Sequence, residues 1–348
     1  MNFRFLVPLV VAAVGGFSAS VSVDAKQAES TYKVVKKFVL GGDGSWDYVT
    51  IDGASRRAYI GRSDRVMVVD MSKGTLVGEI ANMTGVHGAA VVPALNRGFA
   101  TSGKDNTVRV FDLKTLKEVS QVKAGTKPDS IIYDSASQKI FAFNNGGTTA
   151  TVIDAKSAKA VGEVELGGAP EAAVSDGKGT VYVNLEDKSQ IAVIDTNKLV
   201  VREHWSLAPG EEPTGLALDL KHKRLFSGCH NKLMIILDAD SGKVVAQSPI
   251  GAGVDGTGFD DKSQNAFSAN GKDGTLTVIH EDTKDKFTVT STAETQQGAR
   301  TMAVDPKLGQ VWLITSKMEK APNDKVPQNR NHQVVVPGSF TALVVGRH

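Results

Sequence analysis

The sequence predicts an all-β fold, a seven-bladed β-propeller with four antiparallel strands per blade. Three observations carry that expectation. A short apolar run closed by one acid recurs along the chain, at Asp70, Asp112, Asp154, Asp195 and Asp238, and then with His280 in the acid's place. The spacings are 42, 42, 41, 43 and 42 residues, and a fixed period of about forty residues marks a repeat architecture. Within each period the apolar runs are too short for helices and are bounded by Asp, Ser and Gly clusters, which reads as four short strands, one propeller blade.

The fifth repeat displays the unit best. Thr214–Asp219 is a first strand, Arg224–Gly228 a second, Leu233–Asp238 a third and Val244–Gln247 a fourth, with turns between them. Six whole repeats follow one another, at 44–82, 83–125, 126–168, 169–210, 211–252 and 253–296. The remainder, 297–348, offers only three strands: Arg300–Asp305, Gln310–Thr315 and Ser339–Val345. A ring left open exposes strand edges, which invite aggregation. Segment 31–40, which contains Tyr32-Lys-Val-Val-Lys-Lys-Phe-Val-Leu40, is therefore expected to close the ring as the outer strand of blade seven. The stretch 317–338 interrupts that blade between its second and third strands. It holds three prolines and reads as an irregular loop on the face of the channel mouth.

The N-terminus reads as a secretory signal peptide rather than part of the fold. Arg4 supplies a positive region, Phe5–Phe17 is apolar but too short to span a bilayer, and Val23-Asp24-Ala25 offers a cleavage site after Ala25. Ser18-Ala19-Ser20 is a second choice. Residues 1–25 are assigned to the signal and 26–348 to a single propeller domain, periplasmic or secreted, with no membrane span and expected to be a monomer. The chain has 40 basic and 38 acidic residues, a net charge of +2, which is no electrostatic footprint for nucleic acid. Its one cysteine, Cys229, has no internal partner, so no disulfide supports the fold. It reads as a buried inert thiol, with activation by Lys232 as the other possibility.

Val181-Tyr-Val-Asn184, followed by Ser189-Gln-Ile-Ala-Val-Ile-Asp-Thr196, resembles the YVTN β-propeller repeat of about forty residues. Thr107–Thr115 and Thr275–Ile279 fit the same pattern, whereas the sixth repeat departs from it at His280. The chain is similar to the YncE-like secreted propeller proteins of bacteria along nearly all of its mature length. The resemblance implies a seven-bladed ring outside the cytoplasm and no particular reaction, since fold alone does not give function.

The candidate chemistry lies where each first strand begins, because those positions line a propeller's channel. Counting back five residues from the acid or turn residue that ends the strand gives Asp47, Gly88, Asp129, Glu171, Thr214, Asp255 and Arg300, with Trp46, His87 and Glu212 beside them. Carboxylates around a channel mouth concentrate cations. Asp129, Glu171 and Asp255 would hold a hard divalent cation such as Ca²⁺ through oxygen, and His87 would add affinity for a borderline metal. The competing reading is a wet polar mouth with its acids paired to Arg300. The loops between second and third strands add Arg62, Asp64, Lys104, Asn144, Asn145, Glu186, His230, Asn270 and Lys272 to this face. No HxxxH zinc spacing, Gly-rich phosphate loop or GxSxG nucleophile elbow occurs.

His204, His222 and His280 read as surface residues. So do the basic turns of the opposite face: Arg56, Arg57, Arg97, Lys139, Lys221, Lys223 and Arg224. The function expected is a binding or scaffold protein holding a small ligand, cation or protein partner at the mouth. A metal-dependent hydrolase or lyase of the propeller lactonase type, acting at the same mouth, is the alternative.

Overall fold

A computed structural model describes residues 31–320 and 333–348, besides Met1; the expected signal segment and residues 321–332 lie outside the described residues. Seven four-stranded antiparallel sheets are arranged as blades around a central channel. Six blades run in chain order from inner to outer strand: Trp46–Ile80, Val86–Lys123, Pro128–Glu165, Pro170–Ser206, Pro213–Pro249 and Val254–Glu294. The seventh is composite. Thr301–Val304, Val311–Thr315 and Thr341–Arg347 are completed on the outside by Tyr32–Val39, which pairs antiparallel with Thr341–Arg347.

The apolar faces of neighbouring blades bury one another. Tyr59, Val66, Val68 and Ile80 of blade one pack with Val86, Ala89, Ala100 and Phe111 of blade two, and equivalent clusters fill the other junctions. The composite blade joins both neighbours: Leu313 and Val345 sit with Phe267 and Leu276 of blade six, while Trp312, Ile314 and Phe340 sit with Ile60 and Met67 of blade one. At the interface of blades one and two the approach is close enough to demand glycine. A Cβ on Gly61 would fall 1.9 Å from the His87 carbonyl oxygen.

The recurring acids are turn-formers. Asp70, Asp112, Asp195 and Asp238 each accept hydrogen bonds from the backbone N–H groups two and three residues on. The turn between first and second strands has its own signature. Arg56, Asn96, Gln138, Gly179, Lys223, Gln264 and Gly309 all adopt positive φ immediately before or near the second strand, a backbone region that costs most side chains. Each of the first six accepts, at its carbonyl, the backbone N–H of the residue that follows the recurring acid, or His280 in its place: Met71, Leu113, Ala155, Thr196, Ala239 and Glu281. Tertiary hydrogen bonding thus imposes a left-handed turn on residues that would not choose it.

Five of the seven basic turn residues are not the solvated surface expected from sequence, whereas Lys221 and Lys223 are exposed as expected. Arg57 donates to the Leu113 carbonyl at 2.7 Å, Arg97 to Ala155 at 3.2 Å and Lys139 to Thr196 at 3.3 Å, each reaching from one blade to the next. Arg56 binds Asp305 of blade seven. Arg224 is buried and donates to Asp238, Asp285 and the Lys284 carbonyl. Their long stems cross the groove between blades, so the heads find backbone rather than water. Stretch 317–338 also differs from an irregular loop at its base, where Met318–Lys320 pairs with Gln333–Val335 as a hairpin.

Because one pairing closes the ring, deleting residues 31–40 is expected to leave Thr341–Arg347 as an open edge. The truncated chain should associate in a concentration-dependent manner by light scattering, whereas the chain starting at residue 26 should not.

Candidate functional site at the channel mouth

The first strand of each of the six sequential blades carries a register shift at its start, between Trp46 and Val49, Val86 and Ala89, Pro128 and Ile131, Pro170 and Ala173, Pro213 and Leu216, and Val254 and Gly256. A β-bulge bends its strand and re-aims the side chains beside it. The residues at this bend form the ring: Asp47, His87, Asp129, Glu171, Thr214 and Asp255, with Arg300 of blade seven preceding Thr301.

The structure corrects one member. Blade two presents His87, not Gly88, because Val86 pairs with Ser102 as Trp46 pairs with Arg62. That blade ends its first strand at Val92 and runs into a short 3₁₀ turn, Pro93–Leu95, without the acid from which the others are counted.

Hydroxyl groups staple the ring's backbone from blade to blade. Thr301 donates to the Asp47 carbonyl at 2.8 Å, Thr101 to Asp129 at 2.7 Å and Ser130 to Glu171 at 2.6 Å. The side chains above them divide into three groups. Asp47 Oδ2 lies 2.7 Å from His87 Nδ1, and Asp129 Oδ1 lies 3.4 Å from the same nitrogen. Across the channel, Glu171 accepts from the Tyr48 hydroxyl at 3.3 Å and from Asn145 Nδ2 at 3.0 Å. Asp255 accepts from Arg300 Nε at 2.7 Å. Of the four residues expected to hold a cation, only Asp129 and His87 therefore meet, and Asp47 joins them. Glu171 and Asp255 are engaged elsewhere.

Tyr48 carries no motif of its own, and the sequence reading missed it. Its neighbours in the channel are small, including Gly88, Ser130, Ala172, Gly215 and Gly256, which leave a cavity of about 160 Å³ beneath the ring. Burial raises the Tyr48 phenol well above its ordinary value, and the charges of Glu171 and Asp129 raise it further, so it stays a neutral donor.

Three of the ring's acids, Asp129, Glu171 and Asp255, resist ionisation. Burial pushes Asp129 up to about 6, and the nearby Asp47 charge adds to it against the opposing effect of His87. Asp255 also reaches about 6, through burial first, with Arg300 opposing. Glu171 reaches about 8, through burial and then repulsion from Asp129, Asp255 and Glu186. Burial works against protonation of His87, but its hydrogen bond to Asp47 and the charges of Asp129 and Asp47 outweigh that, and its pKa is raised.

Two cavities open onto the mouth. One of about 430 Å³ is lined by Trp46, Asp47, His87, Lys104, Lys127 and Arg300. The other, of about 440 Å³, includes Trp46, Glu171, His230, Asp255, Arg300 and Met318 from the base of the insertion. His230 lies 3.3 Å from Glu212 on the exposed rim. Trp46 stands between them. It is buried, its indole N–H has no partner among the described residues, and Arg300 sits 6.0 Å from its ring.

Arg62, Asn144 and Asn270, expected among the mouth's polar loops, are fully buried instead. Arg62 stacks on Phe340 at 3.6 Å and donates to the carbonyls of Asp43, Gly44 and Ser45, which clamps the approach to Trp46. The two asparagines bond threonine hydroxyls of the adjacent third strands. Cys229 is buried and its thiol is pushed up to about 12, so it is inert at neutral pH.

No family model matches the chain, and no curated protein matches it. Among solved structures it is similar to Kuenenia stuttgartiensis hydrazine synthase, with 16% identity and a TM-score of 0.68 over 80% of this chain and 94% of that one. It is also similar to a chain from the crystal structure of a mitotic checkpoint complex, with 12% identity and a TM-score of 0.70 over 90% of this chain and 96% of that one. At these identities the likeness is one of fold, the seven-bladed propeller.

The titration of Glu171 has a measurable sign. Its folded pKa of about 8 lies above the ordinary 4.5, so the folded state loses stability as pH rises between those values. Glu171→Gln removes that loss. The variant should match the parent in urea unfolding near pH 5. By pH 8 it should be more stable, by on the order of 2 kcal/mol, less than full linkage because the carboxylate is partly solvated.

Proposed function

We propose that this protein is an extracytoplasmic binding propeller of the YVTN type whose mouth holds a divalent cation, and through it a small anionic ligand. One observation carries the reading: Asp47, His87 and Asp129, from three consecutive blades, bring one ligand atom each within 4.8 Å of one another. Two carboxylate oxygens and an imidazole nitrogen suit borderline Zn²⁺, or the harder Mn²⁺, better than Ca²⁺, which prefers oxygen alone. A metal there would offset the burial, and the lesser repulsion from Asp47, that hold Asp129 near 6. Lys104, Lys127 and Arg300 line the same cavity, where their charges would meet an anion on the metal's open side. Among the described residues no helix is long and apolar enough to cross a membrane. The N-terminal signal, with cleavage after Ala25, supports export to the periplasm or beyond.

A hydrolase or lyase reading has one observation of its own. Glu171, held near 8, is a neutral acid at pH 7 on the far side of the mouth, where it would protonate a leaving group. Metal-dependent turnover of lactones or aryl esters that collapses in Glu171→Gln would move the assignment to that reading.

The test is calorimetric titration of chelator-treated residues 26–348 with Zn²⁺, Mn²⁺ and Ca²⁺. A binding component for Zn²⁺ or Mn²⁺ is expected that weakens at least tenfold in His87→Gln and in Asp129→Asn. It should strengthen from pH 6 to pH 8 as His87 gives up its proton. Titrations of both variants indistinguishable from the parent would overturn the reading.

A further inference from the structure

A second cluster lies on the opposite face, at the junction of blades five and six. Asp219 ends the first strand of blade five, His222 follows in the turn, and Glu281 comes immediately after the Asn265-paired His280 in blade six. Their ligand atoms also lie within 4.8 Å of one another. His222 Nδ1 is 2.8 Å from Asp219 Oδ2 and 3.0 Å from Glu281 Oε1. The histidine is therefore not the plain surface residue expected from sequence.

The repeat shows how unusual this cluster is. Glu281 occupies the position after the recurring anchor residue, here His280, which the other sequential blades fill with Met71, Leu113, Ala155, Thr196 and Ala239, all tied to the turn by the same backbone hydrogen bond. His222 stands where blades one, three and six place Ser55, Ser137 and Ser263, whose hydroxyls bond the acid three residues earlier. One junction has thus replaced a small or apolar residue with a carboxylate and a serine with an imidazole, against a common acid.

The second observation concerns hydrogen bonding. The Glu281 side chain is 1% exposed, and among the described residues neither of its carboxylate oxygens makes an aligned hydrogen bond, with His222 Nδ1 3.0 Å from Oε1 as its near neighbour. His222 Nδ1, despite its two short distances, makes no aligned hydrogen bond either. Among the described residues Asp219 accepts aligned hydrogen bonds from the backbone N–H groups of Lys221 and His222 alone, which leaves lone pairs on a carboxylate with no exposed surface. Arg224, whose charge reaches Glu281, is committed to Asp238 and Asp285. Two buried carboxylates this close repel one another, and either a proton on one of them or a cation between them relieves that repulsion.

We infer that Asp219, His222 and Glu281 form a second divalent-metal site that cross-links blades five and six. It is independent of the mouth. The donor set of two carboxylate oxygens and one imidazole nitrogen selects a borderline metal such as Zn²⁺ or Co²⁺. Its ligands come from two neighbouring blades, so the bound ion would act as a clip in the fold.

Glu281→Thr tests this, because Thr196 already occupies the equivalent seat in blade four and the variant should fold. Chelator-treated protein carrying His87→Gln, which weakens the mouth, is titrated with Co²⁺ alone and followed by its visible absorption. About one equivalent is expected to bind in the His87→Gln protein and to raise its unfolding temperature. At least a tenfold loss of affinity is expected when Glu281→Thr is added, and likewise with His222→Ser. No cobalt absorption from the His87→Gln protein would overturn the assignment, as would a spectrum unchanged by Glu281→Thr. Failure of the mouth reading would appear separately, as parent and His87→Gln proteins with identical titrations.

Discussion

The fold depends on one antiparallel pairing. Tyr32–Val39 lies against Thr341–Arg347 and turns seven sheets in a row into a closed ring. Every other junction is secured by neighbours in sequence, but this one joins the two ends of the described chain. Its register positions Tyr32 over Phe267 of blade six, where the Tyr32 hydroxyl accepts from Asn265, and stacks Phe38 on Trp312. The composite blade is consequently the place where the cores of blades six and one meet. Without it the channel would have no fixed diameter, and the groups around its mouth no fixed separation.

Closure makes the mouth's electrostatics possible. Acids that are forty residues apart in sequence are forced onto one small circle, each at the bulged start of an inner strand. Threonine and serine hydroxyls tie the strands so that the circle cannot widen to relieve repulsion. Three responses divide the charge: Arg300 takes Asp255, Tyr48 and Asn145 hold Glu171, and His87 stands between Asp47 and Asp129. The raised pKa values of Asp129, Asp255 and Glu171 are the residue of repulsion and burial that these pairings leave. Such perturbation concentrated in a concave mouth is a mark of functional sites.

Repetition also makes exceptions visible. Five blades put a small or apolar residue where blade six puts Glu281, and that single departure shares a junction with His222. In a solenoid-like ring each seat has been filled many times over in the same chain, so an ill-fitting residue is judged against its own equivalents. The interior of an unrepeated fold offers no such comparison.

The period of forty-two residues was enough to determine seven blades, four strands per blade and closure by the N-terminal strand, because strand spacing and edge chemistry are local properties written into the sequence. The acids of the mouth were legible for the same reason, as positions counted from a repeated landmark. Where the landmark failed, at Val92, the count slipped by one and gave Gly88 in place of His87. What only the tertiary structure decided is which groups meet. Tyr48 reaches across the channel to Glu171, Arg57 crosses to the next blade, Arg62 is buried beneath Phe340, and His222 meets Glu281 fifty-nine residues away. Each of these is a contact between blades, set by the curvature of the ring and the reach of a side chain, and neither quantity is encoded in the spacing of residues along one strand.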